Sequence, residues 1–266
     1  MMSAINNQVL IEVKDLHSAF GSTIIHRGVS FSVHKGEVMA ILGGSGSGKS
    51  TLLRCMILLN RPTKGEVLLF GEDIWKLKER EQQKIFNRCG ICFQFGALYS
   101  SLTVLENVGV MLEQYGAYSK KIVEEISKMW IEKVGLPPRA YHLYPYELSG
   151  GMKKRVGIAR AMATNPEILF LDEPTSGLDP YSAGKFDELI MTLKESLQLT
   201  VVMITHDLDS VHDCVDRFIM LKDGLLEFNG DLKDFIKKAQ TQGLDEGNLF
   251  NSTRGEKFWK GMRITL

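Results

Sequence analysis

No stretch of this sequence is long and apolar enough to cross a bilayer, which takes roughly 18 to 20 residues. Its longest apolar runs, such as VMAIL (38–42) and EILFL (167–171), have the length of buried strands. Net charge is missing too: 32 Lys and Arg balance 32 Asp and Glu. Bulk electrostatics therefore favours neither nucleic acid nor anionic lipid, and no nucleic-acid partner is expected. The opening segment MMSAINNQVL has neither a basic flank nor a long apolar stretch. It does not read as a signal peptide, and a cytosolic protein is expected. Cysteine is scarce, four in 266 residues. The CGIC of 89–92 lies in a strand-like stretch, where positions three apart point to opposite faces, and no second ligand pair accompanies it. Two buried thiols are expected there rather than a redox or zinc site. Internal repeats and low-complexity segments are also absent.

What is present is an ordinary globular composition, 44% hydrophobic and 24% charged, in a chain long enough for one large domain or one domain with an inserted lobe. Strand patterns fall at 9–16, 24–33, 36–42, 65–71 and 89–93, with helical spacing at 49–59 and 78–88. From 96 to 164 the pattern turns helical, at 104–115, 119–134 and 149–163, around an irregular connection with three prolines (135–148). Strand–helix alternation then resumes through EILFLDE, SAGKFDELIMTLKES, TVVMITH, a short helix at 207–214, RFIML and LLEFNG. Buried strands alternating with helices indicate an α/β core with a parallel sheet. Residues 230–266 read as a more polar tail.

GGSGSGKS (43–50) follows an apolar strand and opens a helix, the context that a phosphate-binding loop requires. In such a loop the backbone N–H groups of Gly43, Gly44, Ser45, Gly46, Ser47 and Gly48 curl around oxyanions, and the helix start adds its partial positive charge. Lys49 can reach the β- and γ-phosphates, Ser50 can hold Mg²⁺, and Thr51 can bond a phosphate oxygen. ATP and Mg²⁺ are the expected ligands. ILFLDE (168–173) ends a strand in two carboxylates. Asp172 is placed to hold Mg²⁺ through water, and Glu173 to polarise the attacking water as a general base. His206 follows the strand TVVMIT and can donate to a γ-phosphate, while Gln94 follows the strand CGICF and can bridge Mg²⁺ and the water. Alone, each of those two also reads as a surface residue.

These segments, with LSGGM (148–152) and SGLD (176–179), occur in one order over roughly residues 9–229. In this the chain resembles ABC-type ATPases, the nucleotide-binding subunits of membrane transporters. The resemblance implies an α/β, P-loop ATPase core (1–95 and 164–229), an N-terminal antiparallel β region, an inserted helical subdomain (96–163) and a C-terminal extension (230–266). It implies a head-to-tail homodimer in which Ser149, Gly150 and Gly151 of one subunit close on the ATP held by the other. Phe20 would stack on adenine, and Asp179 would act across the interface.

Met152 departs from the glutamine that most of the family has after LSGG, which puts any polar contact of that amide in doubt. Together with FQFGALYSSLTVLENV (93–108), it is similar to one branch, the Mla/Mce-type phospholipid transporter ATPases. That branch implies an integral membrane permease dimer, an Mce-type lipid-binding protein and, in some relatives, a small regulatory subunit on the helical lobe. It places the ATPase on the cytoplasmic face of the inner membrane, held there through the permease. Phe95, Leu98 and Tyr99 would line the permease groove, and the C-terminal piece EKFWKGM (256–262) can grip the other ATPase subunit. Lys153, Lys154 and Arg155 read as a solvated helix face. The competing reading is an importer of a small polar solute such as an amino acid.

Overall fold

The computed structural model describes residues 8–115 and 118–242, so Phe258 and Trp259 of the C-terminal piece lie outside it. The chain divides into two compact units, Met1–Leu77 with Val202–Leu266, and Lys78–Val201.

The first unit begins with an antiparallel sheet. Strands β1 (Val9–Phe20), β2 (Thr23–His34), β4 (Lys64–Leu69) and β5 (Glu72–Asp73) lie in the order β2-β1-β4-β5. Alternation in β1 is interrupted by a bulge: Val13 pairs Phe31 and Leu16 pairs Val29, so one extra residue is absorbed at Asp15, whose φ is 43°. The bulge returns Leu16 to the buried side. A second sheet of this unit places β3 (Val38–Gly43) parallel to β9 (Arg217–Lys222), which in turn pairs antiparallel with β10 (Leu225–Gly230). Every residue of β3 is buried, as expected of a parallel strand covered on both faces. The strand runs into helix α1 (Lys49–Met56), whose inward face is Leu52, Leu53, Cys55 and Met56.

The second unit carries α2 (Glu79–Phe86), β6 (Cys89–Cys92), α3 (Val104–Tyr115), α4 (Lys120–Lys133), α5 (Gly150–Met162), β7 (Ile168–Asp172) and α6 (Pro180–Leu197). Strands β6 and β7 are parallel, and α3, α4 and α5 pack on one another. Three of these helices start on a side-chain cap. Ser119, Ser149 and Asp179 each accept the N–H three residues on, which satisfies a donor that the helix leaves open. The proline-broken connection forms two short 3₁₀ turns, Pro138–Ala140 and Pro145–Glu147. Strand β8 (Thr200–Ile204), wholly buried, leads from this unit back to the first, where α7 (Leu208–Cys214) follows.

Two features differ from the sequence reading. Residues 232–242 are not plain polar tail but helix α8 (Leu232–Gln242). It buries Phe235 against Phe218 and Phe228, with ring centroids 5.4 and 5.0 Å away. The cations after LSGGM are not a solvated face. Lys154 is 7% exposed, and Arg155 is half-buried and donates to the Val134 carbonyl. Long cationic arms can lay their stems along a core and satisfy backbone oxygens at its edge. The four cysteines are buried and form no disulfide among the described residues, and burial pushes the Cys92 thiol up to about 11. Among the described residues, no helix is long and apolar enough to cross a membrane.

Candidate functional site

In the first unit the loop after β3 turns on Gly48, the N-cap of α1 at φ 97°. That conformation favours glycine, and a Cβ there would also lie 2.6 Å from His26 Nε2. Helix α1 has no side-chain cap, so no side chain at the cap takes up its first N–H groups. Lys49 Nζ donates to the carbonyls of Gly43 and Gly44 at 2.8 and 2.9 Å, which holds the ammonium over the loop. Ser47 Oγ is buried without a hydrogen-bond partner among the described residues. Ser45 and Gly46 are exposed, Ser50 and Thr51 half-buried. A cleft of about 270 Å³ is lined by residues 43–47 and by the β9–β10 turn. A cation, an uncapped helix start, an orphaned hydroxyl and an open backbone loop fit a polyphosphate.

His26 lies beneath this loop, 0% exposed, with Nδ1 2.7 Å from Ser18 Oγ and Nε2 without a partner among the described residues. Burial pulls its pKa from 6.5 down to about 4. Phe20 ends β1, exposed, at the β1–β2 turn. His206, exposed, follows β8.

In the second unit β7 ends at Asp172, half-buried, and Glu173 follows at φ 47°. Gln94 Nε2 donates to Glu173 Oε2 at 3.0 Å and to Ser176 Oγ at 3.3 Å, so this expected pair is together. Asp179 caps α6 and accepts from the Ser182 hydroxyl at 2.6 Å. Those bonds from Ser182 hold its carboxyl below the usual range. Ser149 caps α5 by accepting the Met152 N–H at 3.3 Å. Gly150 is exposed, and a Cβ there would meet nothing within 4 Å; at Gly151 it would meet only Leu178 Cδ2, at 3.8 Å. Neither residue has positive φ. Packing within the chain therefore does not require glycine at either position.

Three residues shape the stretch after Gln94: Asn107 and Arg160, which the sequence reading did not single out, and Lys154, which it assigned to solvent. Asn107 is buried, accepts the Tyr99 N–H at 2.8 Å and donates to the carbonyls of Tyr99, Leu102 and Thr103. Arg160 donates to the carbonyls of Gly96 and Ala97 at 2.7 and 2.8 Å. Lys154 donates to those of Gln94 and Glu173. Held this way, the loop leaves Phe95 83% exposed and Tyr99 exposed, with Leu98 half-buried. Asn107 left one trace in the sequence, an amide on the apolar stripe Val104, Val108 of a helix.

Among the described residues no cluster of three or more His, Cys, Asp or Glu could hold a metal unaided. The candidate donors Ser50, Gln94 and Asp172 are a hydroxyl, an amide and one carboxylate. Each kind of donor suits Mg²⁺, which keeps waters and takes much of its coordination from substrate phosphates.

Comparison with known proteins agrees with this chemistry. The family model "ABC transporter" matches residues 26–176. The chain is 39% identical to the methionine import ATP-binding protein MetN of Brucella abortus, over 83% of this chain and 59% of that protein. It therefore spans about 59% of the length of that relative. It is 38% identical to the intermembrane phospholipid transport system ATP-binding protein MlaF of Haemophilus influenzae, over 82% of each chain. Its fold matches the dimeric post-hydrolysis structure of the ATP-binding cassette MJ0796 bound to ADP and Pi, with TM-score 0.77 and 35% identity, over 84% of this chain and 99% of that one. A family match over more than half the sequence, with a phosphate loop of the fitting chemistry inside it, means that the chain belongs to the ABC transporter family.

Proposed function

We propose that this chain is the ATP-hydrolysing subunit of an ABC transporter, that it works as a head-to-tail homodimer beneath a membrane permease dimer, and that its cargo is phospholipid. The observation that carries the hydrolytic reading is the Gln94–Glu173 pair at 3.0 Å, a carboxylate already oriented by an amide beside the strand end that bears Asp172. Glu173 accepts the proton of the water that attacks the γ-phosphorus as the bond to the β-phosphate oxygen breaks. Lys49 and the phosphate loop would hold the β- and γ-phosphates, Ser50, Asp172 and Gln94 would be the residues to hold Mg²⁺, and His206 would donate to the γ-phosphate. Bound Mg²⁺ would neutralise charge on the phosphates. Phe20, an exposed ring at a strand end, offers adenine a stacking face.

The start of α5 supports the dimer. Gly150 and Gly151 need to be glycine for no reason inside the chain, so their bareness suits close approach from outside. The reach of ATP from one subunit to Ser149–Gly151 of the other favours the closed pair, and hydrolysis releases it. Exposed Phe95 and Tyr99, on a loop pinned by Asn107 and Arg160, suit a permease surface. The phospholipid reading rests on Met152, on residues 93–108 and on the MlaF relative. It brings an Mce-type lipid-binding protein as a further partner and the cytoplasmic face of the inner membrane as the location. The MetN relatives favour the second reading, import of an amino acid.

The test is purification of the tagged chain from its native membrane in mild detergent, with mass spectrometry of what accompanies it. A polytopic permease with an Mce-domain protein and bound phospholipid is expected. A permease with a soluble solute-binding protein would replace the lipid by the amino acid.

A further inference from the structure

The ammonium of Lys154 is an unusual object in this fold. It is carried on the second turn of α5, is 7% exposed, and donates to two backbone carbonyls at 3.1 Å each, those of Gln94 and Glu173. The side chains of the same two residues are bonded to each other at 3.0 Å. Gln94 and Glu173 come from distant parts of the sequence, after β6 and after β7. Lys154 therefore ties together the backbones of a pair whose side chains must keep one geometry.

Glu173 needs such a tie. Its φ of 47° is left-handed, and the residue precedes Pro174, which pushes its neighbour toward extended backbone. A non-glycine residue held there is strained and persists only when its surroundings over-determine it. The Glu173 carbonyl accepts from the Ser176 N–H at 3.2 Å as well as from Lys154, so both of its lone pairs are engaged. Burial lowers the pKa of Lys154, and the Cys92 thiol and the Glu173 carboxylate oppose that only in part. A buried cation with two carbonyl acceptors and a carboxylate nearby is satisfied where it stands. No further partner is needed to account for it.

We propose that Lys154 is a positioning residue for hydrolysis: by bridging the main-chain oxygens of Gln94 and Glu173, it keeps the Glu173 carboxylate in register with the Gln94 amide, and so acts on the chemical step rather than on nucleotide binding. This rests on the reading of Glu173 as the general base. Its position adds a consequence. The helix that carries Lys154 begins at Ser149–Gly151, the segment read as closing on the partner's ATP. One rigid element thus holds a catalytic pair of its own subunit and contacts the nucleotide of the other.

The test compares Lys154→Met and Lys154→Arg with the wild type and with Glu173→Gln, in the full chain. For Lys154→Met, kcat should fall tenfold or more, with KM for ATP and the affinity for a fluorescent ATP analogue changed less than twofold. Lys154→Arg, which keeps a buried donor cation, should recover most of that loss. In the Glu173→Gln background, Lys154→Met should still form the ATP-dependent dimer, a readout that needs no turnover. Unchanged kcat in Lys154→Met while Glu173→Gln is inactive would overturn the role of Lys154 alone. Parallel loss of analogue binding and dimer formation would overturn it too, by making the lysine a general support of the fold. Wild-type turnover in Glu173→Gln would remove the base on which the whole reading stands.

Discussion

At the scale of single residues, polar groups sealed beneath the phosphate loop are the most informative. His26 is wholly buried, keeps one ring nitrogen on Ser18 and leaves the other against the loop glycine Gly48. Its pKa is depressed from 6.5 to about 4, so the unfolded chain binds the proton more readily. The neutral ring thus contributes stability in full above about pH 6.5, and that stability is lost as pH falls toward 4, by up to about 3 kcal/mol. His26→Leu should flatten the fall in urea-unfolding free energy over that window; the same slope in variant and wild type would show that other groups set it. The loop at 43–48 was legible in place, because an apolar run, a glycine cluster and helical spacing mark a strand, a turn and a helix start. Lys154 was not. Sequence patterning assigns a Lys-Lys-Arg run to solvent, since charged groups are rarely buried unpaired. Only the fold reveals that two carbonyls wait for the middle one.

At the scale of elements, most strands and helices follow from apolar spacing, because their buried faces repeat regularly. β3, β7 and β8 are continuous apolar runs, and α1, α4 and α6 carry evenly spaced buried residues. Helix α8 escaped notice for the opposite reason. Among its described side chains the buried ones are Phe235 and Ile236, two adjacent residues among lysines and aspartates, too few to make a periodic signal. Its attachment is concentrated rather than weak: three phenylalanine rings, Phe218, Phe228 and Phe235, meet with centroids 5.0 to 5.4 Å apart. Phe235→Ala should lower the unfolding free energy by about 3 kcal/mol, as large-to-small changes in packed clusters do. Denaturant melts would detect this. A loss below about 0.5 kcal/mol would show the helix to be an accessory to the core.

At the scale of the whole molecule, the balanced charge, 32 against 32, provides no general attraction to lipid, so the proposed place at a membrane would depend on specific contacts with a partner. The loop displaying Phe95 and Tyr99 is the surface proposed above to make them. The family was legible because its motifs lie in one order along a single chain, and a family model matches residues 26–176. The transported substrate was not, since relatives of similar identity are named for methionine import and for phospholipid transport. The bare start of α5 has a kinetic consequence. If Gly150 and Gly151 complete a site on another copy, an isolated chain holds two incomplete halves and no whole site. Turnover by the purified protein should then scale with the square of its concentration when dilute, and become linear once pairs predominate. A specific activity independent of dilution would mean that one chain suffices.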